Sequence, residues 1–238
     1  MKVIAIIPAA GLGTRMSGGK AGKGVSKQFT HLAGTPILIH TLRRFGAHPR
    51  VDEIFVALRK NEIANFQKQL DAEPYAAKVK LVVGGENRQE SVANALAVVK
   101  ATEHHDVVLV HDGVRPFVDA KIISECIAAA EKHGAVMVGL PAVDTIKLVE
   151  RTAEGAIISS TIPRERVVLA QTPQGFRYTV IQKAFESAQA EGFTGTDEAS
   201  LVERIGHPVM VVMGSPRNIK ITSPADMELA ELFIKSQA

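Results

Sequence analysis

The sequence predicts an α/β protein built on a doubly wound, mostly parallel sheet. From residue 3 to about residue 140, apolar runs of strand length alternate with segments whose apolar residues recur at helical spacing. The run that follows Asp106 is uniformly apolar, which is typical of a parallel strand covered by helices on both faces. The first run, Val3 to Ile7, opens directly into a glycine-rich loop. Such a sheet is expected to bind its ligand at the carboxyl ends of its strands.

The elements of the first part follow from this alternation. Pro36 suits the first turn of a helix, where no backbone N–H is needed, and Asn61 is predicted to cap the next helix. The predicted strands are 3–7, 52–58, 79–83, 106–110 and 135–140, and the predicted helices are 36–47, 61–71, 92–100 and 122–133.

The alternation changes at Pro141. Two short strand-like runs, 145–150 and 156–161, flank a turn that contains Gly155 and predict a β-hairpin arm at about 142–166. A two-stranded hairpin is marginal alone, so we expect it to pack on something, with a second subunit as a good candidate. The remaining predictions are strands at 167–170, 175–176, 208–213 and 218–222, and helices at 179–191, 197–205 and 224–235. Without repeats or linkers, residues 1–238 are predicted to form one domain with an inserted arm.

Composition restricts the function classes. The 238 residues carry a formal charge of only +3, and no long basic run or basic–aromatic patch supports nucleic-acid binding despite a pI near 9.0. The one cysteine, Cys126, lies in an apolar helical pattern and predicts a buried, inert thiol. Met1 and Lys2 lead straight into the first strand, and no apolar run could span a bilayer. We therefore expect a cytoplasmic protein without membrane or nucleic-acid partners.

The glycine-rich loop between Pro8 and Gln28 predicts a phosphate site. Small residues let backbone N–H groups approach an anion, and four cations surround them: Arg15, Lys20, Lys23 and Lys27. The loop is not a P-loop, because neither Gly-Lys pair is followed by Ser or Thr. It is not a dinucleotide fingerprint either, because Met16 replaces the third small residue and no ribose-binding acid follows. A surface loop with solvated lysines remains the alternative.

Further candidates follow the other strands. Asp112 comes directly after a strand, where a carboxylate could hold Mg²⁺ beside phosphates or, alternatively, cap a turn and pair with Arg115. Glu86 and Ser91 could bind a base or ribose, although helix capping alone would explain Ser91. Lys220 lies in a predicted strand, where a lysine usually faces solvent.

The sequence offers no obvious activated Ser, Cys or His nucleophile. An acceptor phosphate would need none, because its oxygen is already deprotonated near neutral pH. Catalysis then consists of placing two anions together and neutralising charge at the attacked phosphorus, which Mg²⁺, Arg and Lys can do. Nucleotidyl transfer therefore fits the residues better than hydrolysis or redox chemistry.

Taken together, the motifs resemble a known family. The ordered set runs nearly end to end: PAAGLGTRM, SKQF, GGENRQESV, VHDGVRPFV, DTIK, TPQGF, TDEAS and NIKIT with its closing PADMELAE. It is similar to that of the 2-C-methyl-D-erythritol 4-phosphate cytidylyltransferases of the non-mevalonate isoprenoid pathway. The resemblance implies a Rossmann-like nucleotidyltransferase fold, transfer of CMP from CTP to the sugar-alcohol phosphate with release of pyrophosphate, Mg²⁺ as cofactor, and a homodimer joined by hairpin arms.

The resemblance also assigns roles to residues of this sequence. Arg15 and Lys27 match the cations that stabilise the transition state at the α-phosphate, Asp112 matches the magnesium ligand, and Lys220 matches a cation that bridges the phosphates of CTP and the acceptor. The residues that match contacts to CTP are Ala9, Ala10, Gly11, Gly85, Glu86, Ser91, Gly113 and Arg115. Thr145 and Arg164 match the acceptor-binding pair, with Arg164 contributed by the other subunit.

This sequence departs from the family pattern in three places. Many members carry Asp where Glu86 stands, Ser26 replaces the common Pro, and the loop between Met16 and Lys27 is longer and richer in Gly and Lys. The main alternative within this class is a cytidylyltransferase that uses ribitol 5-phosphate as its acceptor. Three other classes of protein are minor alternatives. The dinucleotide fingerprint of an oxidoreductase is absent from this sequence, a regulator would bind CTP without releasing pyrophosphate, and a DNA-binding protein would show binding that depends steeply on salt concentration.

Overall fold

The structure is a computed structural model that describes residues 1–11, 26–100 and 105–236. Its strands are β1 (Val3–Pro8), β2 (His31–Leu32), β3 (Thr35–Pro36), β4 (Glu53–Leu58), β5 (Val79–Val83), β6 (Val107–Val110), β7 (Ala135–Pro141), β8 (Ile146–Thr152), β9 (Gly155–Ile162), β10 (Val168–Arg177) and β11 (Met210–Met213). Its α-helices are α1 (Ile37–Gly46), α2 (Lys60–Leu70), α3 (Arg88–Val98), α4 (Ala120–His133), α5 (Tyr178–Ala190), α6 (Glu198–Arg204) and α7 (Pro224–Lys235).

The central sheet has seven strands in the order β11-β7-β10-β6-β1-β4-β5. Neighbouring strands are parallel except where β10 pairs antiparallel with β6 and with β7. The predicted doubly wound, mostly parallel α/β fold is therefore confirmed. The carboxyl ends of β1, β4, β5 and β6 lie at one edge of the sheet, and the loops that leave them meet there.

Helices cover both faces of this sheet. In β1, Ala5 and Ile7 pack on the side of α1, α2 and α4, whereas Ile4 and Ile6 pack on the side of α3, α5 and α6. All four side chains are essentially inaccessible to solvent. Burial on both faces explains why this strand is apolar at successive positions rather than at alternate ones.

Several local predictions are wrong. Helix α2 begins at Lys60 with Arg59 as its N-cap, so Asn61 lies in the first turn and does not cap the helix. Helix α3 begins at Arg88 rather than Val92, because the Asn87 side chain caps it by accepting a hydrogen bond from Glu90 N at 2.9 Å. Its polar first turn carries no apolar periodicity, which concealed the start.

Strand assignments near the C-terminus also change. Residues 218–222 form no strand; the bonds that hold the segment include Ile221 N to Val114 O at 3.0 Å and Asn218 Nδ2 to Thr172 O at 2.8 Å. The two short runs predicted around 167–176 are one strand, β10, whose register against β7 shifts between Ala170 and Gln174. This strand brings Thr172 close to the end of β6.

The predicted hairpin is present within its predicted bounds. Strands β8 and β9 pair antiparallel from Ile146 and Ile162 to Thr152 and Gly155, and they form a separate two-stranded sheet. Most of its side chains are exposed. Among the residues described above, no helix is both long enough and apolar enough to cross a membrane.

Candidate active site

The segment that follows β1 forms the floor of a cleft. Ala9 and Ala10 are buried, and the backbone is held by Ala9 N donating to Ala57 O at 2.8 Å and by Arg59 Nε donating to Ala10 O at 2.9 Å. A side chain at Gly84 would lie 2.5 Å from the Ala10 Cβ atom. The loops after β1 and β5 can therefore approach each other only because glycine occupies this position.

Lys27 stands at the rim of the same cleft. It begins a 3-10 turn, Lys27–Phe29, that is anchored by Gln28, whose Nε2 donates to Ala9 O at 2.6 Å. Gln28 is 1% exposed, so this bond ties Lys27 firmly to the end of β1. Arg15, Lys20 and Lys23 lie outside the described residues.

The loop after β5 forms one wall. The Ser91 hydroxyl accepts a hydrogen bond from Gly85 N at 3.1 Å and donates one to Asn87 O at 2.8 Å. Because Asn87 is the N-cap, the capping alternative for Ser91 is wrong, and its hydroxyl instead fixes the loop. The Glu86 backbone N–H is held by Glu90 Oε2 at 2.9 Å, while Glu86 itself is exposed and lines the cleft.

Asp112 lies at the centre of the site and is 6% exposed. Its Oδ1 accepts a bond from Arg88 Nε at 3.2 Å, and its Oδ2 pairs with Arg115 Nε at 3.2 Å and Lys220 Nζ at 2.9 Å. Burial would raise the pKa of Asp112, but the three cations together lower it well below its usual range. The carboxylate is therefore ionised, with three positive charges around it.

Gly113 shows why the loop after β6 can approach the loop after β1. A side chain at Gly113 would lie 3.3 Å from the Ala9 Cβ atom and 3.1 Å from Leu38 Cδ1. The Gly113 carbonyl accepts a bond from Thr41 Oγ1 at 3.0 Å, so the loop is also held from α1.

Among the residues that sequence reasoning did not single out are Arg88 and Glu198, which form an ion pair at this site. Glu198 is 1% exposed, and both of its oxygens accept from Arg88 Nη1, at 2.7 and 2.8 Å. Burial raises the pKa of Glu198 although Arg88 opposes the shift. Both residues belong to motifs that carry the resemblance, GGENRQESV and TDEAS, but nothing in the sequence indicates that residues 110 positions apart would pair.

A buried histidine organises the loop beneath Asp112. The His111 Nε2 atom lies 3.0 Å from the Arg115 carbonyl and must donate to it, which leaves Nδ1 to accept from Thr172 Oγ1 at 3.0 Å. The same hydroxyl accepts from Asp112 N at 3.1 Å. Burial lowers the pKa of His111 to about 4, so the ring is neutral at physiological pH.

This neutral histidine predicts acid sensitivity. Because its pKa is lowered from 6.5, its contribution to stability is complete above pH 6.5 and is lost as the pH falls towards about 4. We expect the free energy of unfolding to fall by up to about 3 kcal/mol over that range. Urea denaturation against pH, with imidazole NMR shifts reporting His111 itself, would test this. An imidazole that titrates near pH 6.5 in the folded protein would contradict it.

Two adjoining cavities share Arg88, Asp112 and Lys220. The first is lined by Pro8, Ala9, Ala10, Gly11, Lys27, Gln28, Gly85, Glu86, Asn87, Arg88, Ser91, Asp112, Gly113, Val114 and Lys220. The second is lined by Arg88, Asp112, Arg115, Ala170, Gln171, Thr172, Gln174, Thr196, Asp197 and Lys220. Ten of the predicted site residues thus line the first cavity and Arg115 lines the second. Thr145 and Arg164 line neither, since both lie exposed on and beside the arm.

The donor set fits a magnesium ion held partly by phosphates. Asp112 offers hard carboxylate oxygens, and Mg²⁺ is commonly bound by one or two carboxylates together with substrate phosphates. Across residues 1–11, 26–100 and 105–236, no group of three or more His, Cys, Asp or Glu side chains could form a complete metal site.

Cations and the Asp112 carboxylate around a place for phosphates, at the edge of a doubly wound sheet, are typical of nucleotidyltransferases. The comparisons with known proteins identify the family. Residues 3–236 match the family model IspD, 2-C-methyl-D-erythritol 4-phosphate cytidylyltransferase, and the chain belongs to this family.

Relatives match over the whole chain. The 2-C-methyl-D-erythritol 4-phosphate cytidylyltransferase of Acidobacterium capsulatum is 56% identical, covering 100% of this chain and 99% of the relative. The crystal structure of the enzyme of that name from Thermus thermophilus is 33% identical with a TM-score of 0.77, covering 99% of this chain and 100% of the other. That of 4-diphosphocytidyl-2C-methyl-D-erythritol synthase from Anaerococcus prevotii is 28% identical with a TM-score of 0.82, covering 98% of both chains.

Proposed function

We propose that the protein transfers CMP from CTP to 2-C-methyl-D-erythritol 4-phosphate, giving 4-diphosphocytidyl-2-C-methyl-D-erythritol and pyrophosphate for isoprenoid precursor biosynthesis. Membership of the family supports the reaction. The observation that carries it is the position of Asp112, which lies between two cavities and is surrounded by Arg88, Arg115 and Lys220. Two phosphate-bearing substrates could approach each other across this point.

The first cavity is the proposed CTP site. The backbone of Ala9, Ala10 and Gly11 faces the phosphates, and the wall formed by Gly85, Glu86 and Ser91 binds the cytidine. Gly113 completes this cavity from the loop after β6, and Arg115, which lines the second cavity, would reach the phosphates of CTP from the boundary between the two. Arg15 and Lys27 would neutralise charge at the α-phosphate, where the new bond forms.

Asp112 is the proposed magnesium ligand. When bound, the ion would neutralise phosphate charge and orient the triphosphate. The residues of the chain do the rest: Lys220 attracts both anions to the boundary between the cavities, and Arg115 fixes the carboxylate while its Nη1 donates to Asn218 O at 2.7 Å. The acceptor phosphate attacks in line with the leaving pyrophosphate, so no protein nucleophile is required.

The second cavity is the proposed acceptor side. Its hydroxyl and amide groups, from Gln171, Thr172, Gln174 and Thr196, suit a polyol, while Lys220 and Arg115 suit its phosphate. Thr145 and Arg164 would reach this side from the arm of a second subunit.

The reaction can be tested by pyrophosphate release with CTP and Mg²⁺, comparing 2-C-methyl-D-erythritol 4-phosphate with ribitol 5-phosphate at equal concentrations. Activity with the former and not the latter is expected. Preference for ribitol 5-phosphate would overturn the acceptor, and no release with either would overturn the reaction.

A homodimer joined by the arm is part of the proposal. Apolar side chains of the arm are unusually exposed in the single chain: Ile157 is 64% and Ile158 is 60% exposed, and Leu148 is 53% exposed. Exposed apolar clusters of this kind mark interaction surfaces. We expect Ile157→Asp with Ile158→Asp to shift the protein from dimer to monomer in sedimentation velocity, because charges would be buried at the interface. A wild-type protein that sediments as a monomer would contradict this.

A variant of Arg164 should distinguish binding of the acceptor from binding of CTP. Its Nη1 donates to Val143 O at 2.7 Å, which holds the exposed side chain beside the arm. We expect Arg164→Ala to raise the KM for the acceptor about tenfold or more and to leave the KM for CTP nearly unchanged, since a charged hydrogen bond to phosphate contributes about 1.5–3 kcal/mol. Arg166→Ala, two positions along, is the matched control. An unchanged acceptor KM would remove Arg164 from the acceptor site.

The cytoplasmic location and the absence of a nucleic-acid partner stay predictions of the sequence. Cell fractionation would test the first. Binding to duplex DNA measured against salt concentration would test the second, because neutralised phosphates give a steep salt dependence.

A further inference from the structure

Arg88 contacts two carboxylates, and it is held more closely by Glu198 than by Asp112. Arg88 reaches Asp112 through one N–H, Nε, at 3.2 Å, but it reaches both oxygens of Glu198 through Nη1 at 2.7 and 2.8 Å. The shorter bonds thus go to Glu198. Glu198 is also the more deeply buried carboxylate, at 1% exposure against 6% for Asp112.

Glu198 is itself held rigidly. The Gln174 side chain, 1% exposed, accepts a bond from Ala199 N at 2.9 Å and donates one to Asp197 Oδ2 at 2.7 Å. Asp197 closes the first turn of α6 by a reciprocal capping box with Ser200. The start of α6 is therefore fixed to β10, and the Glu198 carboxylate has a fixed place beside Arg88.

We propose that Glu198 is a positioning residue. By restraining Arg88, it allows Asp112 to give up its bond to this guanidinium and to bind the metal of a metal–nucleotide complex instead. The proposal rests on the function proposed above. With Glu198 present, Arg88 would keep its stronger partner if Asp112 became a metal ligand. Without Glu198, the guanidinium fork is free to close on Asp112 in the bidentate geometry that arginine prefers, where it would compete with a metal for the carboxylate.

The experiment measures binding of Mn²⁺·CTP by electron paramagnetic resonance on the full-length protein, because Mn²⁺ accepts the same oxygen ligands as Mg²⁺ and gives a signal that is independent of turnover. We expect Glu198→Gln, which is isosteric but neutral, to raise the Kd for Mn²⁺·CTP about tenfold. The double variant Arg88→Met with Glu198→Gln also removes the competing guanidinium, so its Kd should be several-fold lower than that of Glu198→Gln.

Folding is checked separately. Because the loss of one member of a buried ion pair destabilises a protein, thermal unfolding of both variants is measured, and each Kd is determined at a temperature where the variant is folded. Glu73→Gln is the matched control: it breaks another bidentate pair, with Arg43 at 2.7 and 3.0 Å, outside the cleft, and should leave the Kd unchanged.

The outcomes are distinct. If the wild type binds Mn²⁺·CTP and the folded Glu198→Gln variant binds it equally well, Glu198 only supports the fold and the inference is overturned. A double variant that binds as weakly as Glu198→Gln would overturn it too, because the guanidinium would then not be the competitor. A wild type that fails to bind Mn²⁺·CTP would instead overturn the proposed function.

Discussion

Asp112→Asn is expected to lower kcat for pyrophosphate release by about a thousandfold, the upper range for the loss of one preorganised electrostatic group. The amide keeps the shape of the carboxylate but removes its charge. It would be a poor ligand for Mg²⁺, and the three cations around it, Arg88, Arg115 and Lys220, would lose their shared counter-ion.

The same change should destabilise the fold. Because the pKa of Asp112 is lowered in the folded state, its ionised form stabilises the protein at neutral pH, and this contribution is lost only as the pH falls below about 4. We expect Asp112→Asn to lower the free energy of unfolding at pH 7 by about 3 kcal/mol, as when one partner of a buried ion pair is removed.

Asp119→Asn is the matched control for both measurements. Asp119 lies seven residues further along, outside the cleft, and caps α4 by accepting from Ile122 N at 2.8 Å. Asparagine caps helices nearly as well as aspartate, so this variant should keep both activity and stability. If Asp112→Asn kept a kcat within a few-fold of wild type, Asp112 could not be the metal ligand.

Lys27→Ala is the second large effect, with an expected loss of about a hundredfold or more in kcat. The lysine lines the nucleotide cavity from a turn that Gln28 fixes to β1, and its charge would be needed most when negative charge develops at the α-phosphate. Its removal should change the free energy of unfolding by less than about 1 kcal/mol, because Lys27 is half-buried in a short turn and adds little to the apolar core.

Two further variants make the Lys27 result specific. Lys27→Arg keeps the charge and should recover part of the lost rate, whereas Lys60→Ala, at an exposed lysine on α2, should leave kcat unchanged. If Lys27→Ala turned over within a few-fold of wild type, the charge at the α-phosphate would have to come from elsewhere in the loop.

Much of the fold followed from the sequence because its signals are local. A buried parallel strand is apolar at successive positions, and a helix repeats its apolar residues at helical spacing, so β1, β6 and α4 could each be found from a short window. The hairpin was predictable for the same reason, since β8 and β9 are adjacent in the chain. Errors fell where polar residues open a helix, as at Arg88, or where an extended segment such as 218–222 finds no strand to pair with.

Most of the site was also predictable, because loops that leave parallel strands must meet at one edge of the sheet. The sequence alone placed Ala9, Gly85 and Asp112 at that edge of the sheet, and the ordered motifs indicated the family. The sequence could not distinguish between alternative roles of a residue when the role depends on a distant partner. Whether Ser91 capped a helix or fixed a loop was decided by where α3 begins.

Only the tertiary structure decided the distant partners of Asp112, whereas its pairing with nearby Arg115 was already an alternative in the sequence. Strand β10 enters antiparallel between β7 and β6, which brings Thr172 to His111 and carries α6 to the cleft. Glu198 therefore meets Arg88 across 110 positions of chain, and Lys220 meets Asp112 from a segment near the C-terminus. Such contacts leave no periodic or compositional trace in the sequence, because they depend on the order of strands in the sheet rather than on the residues beside them.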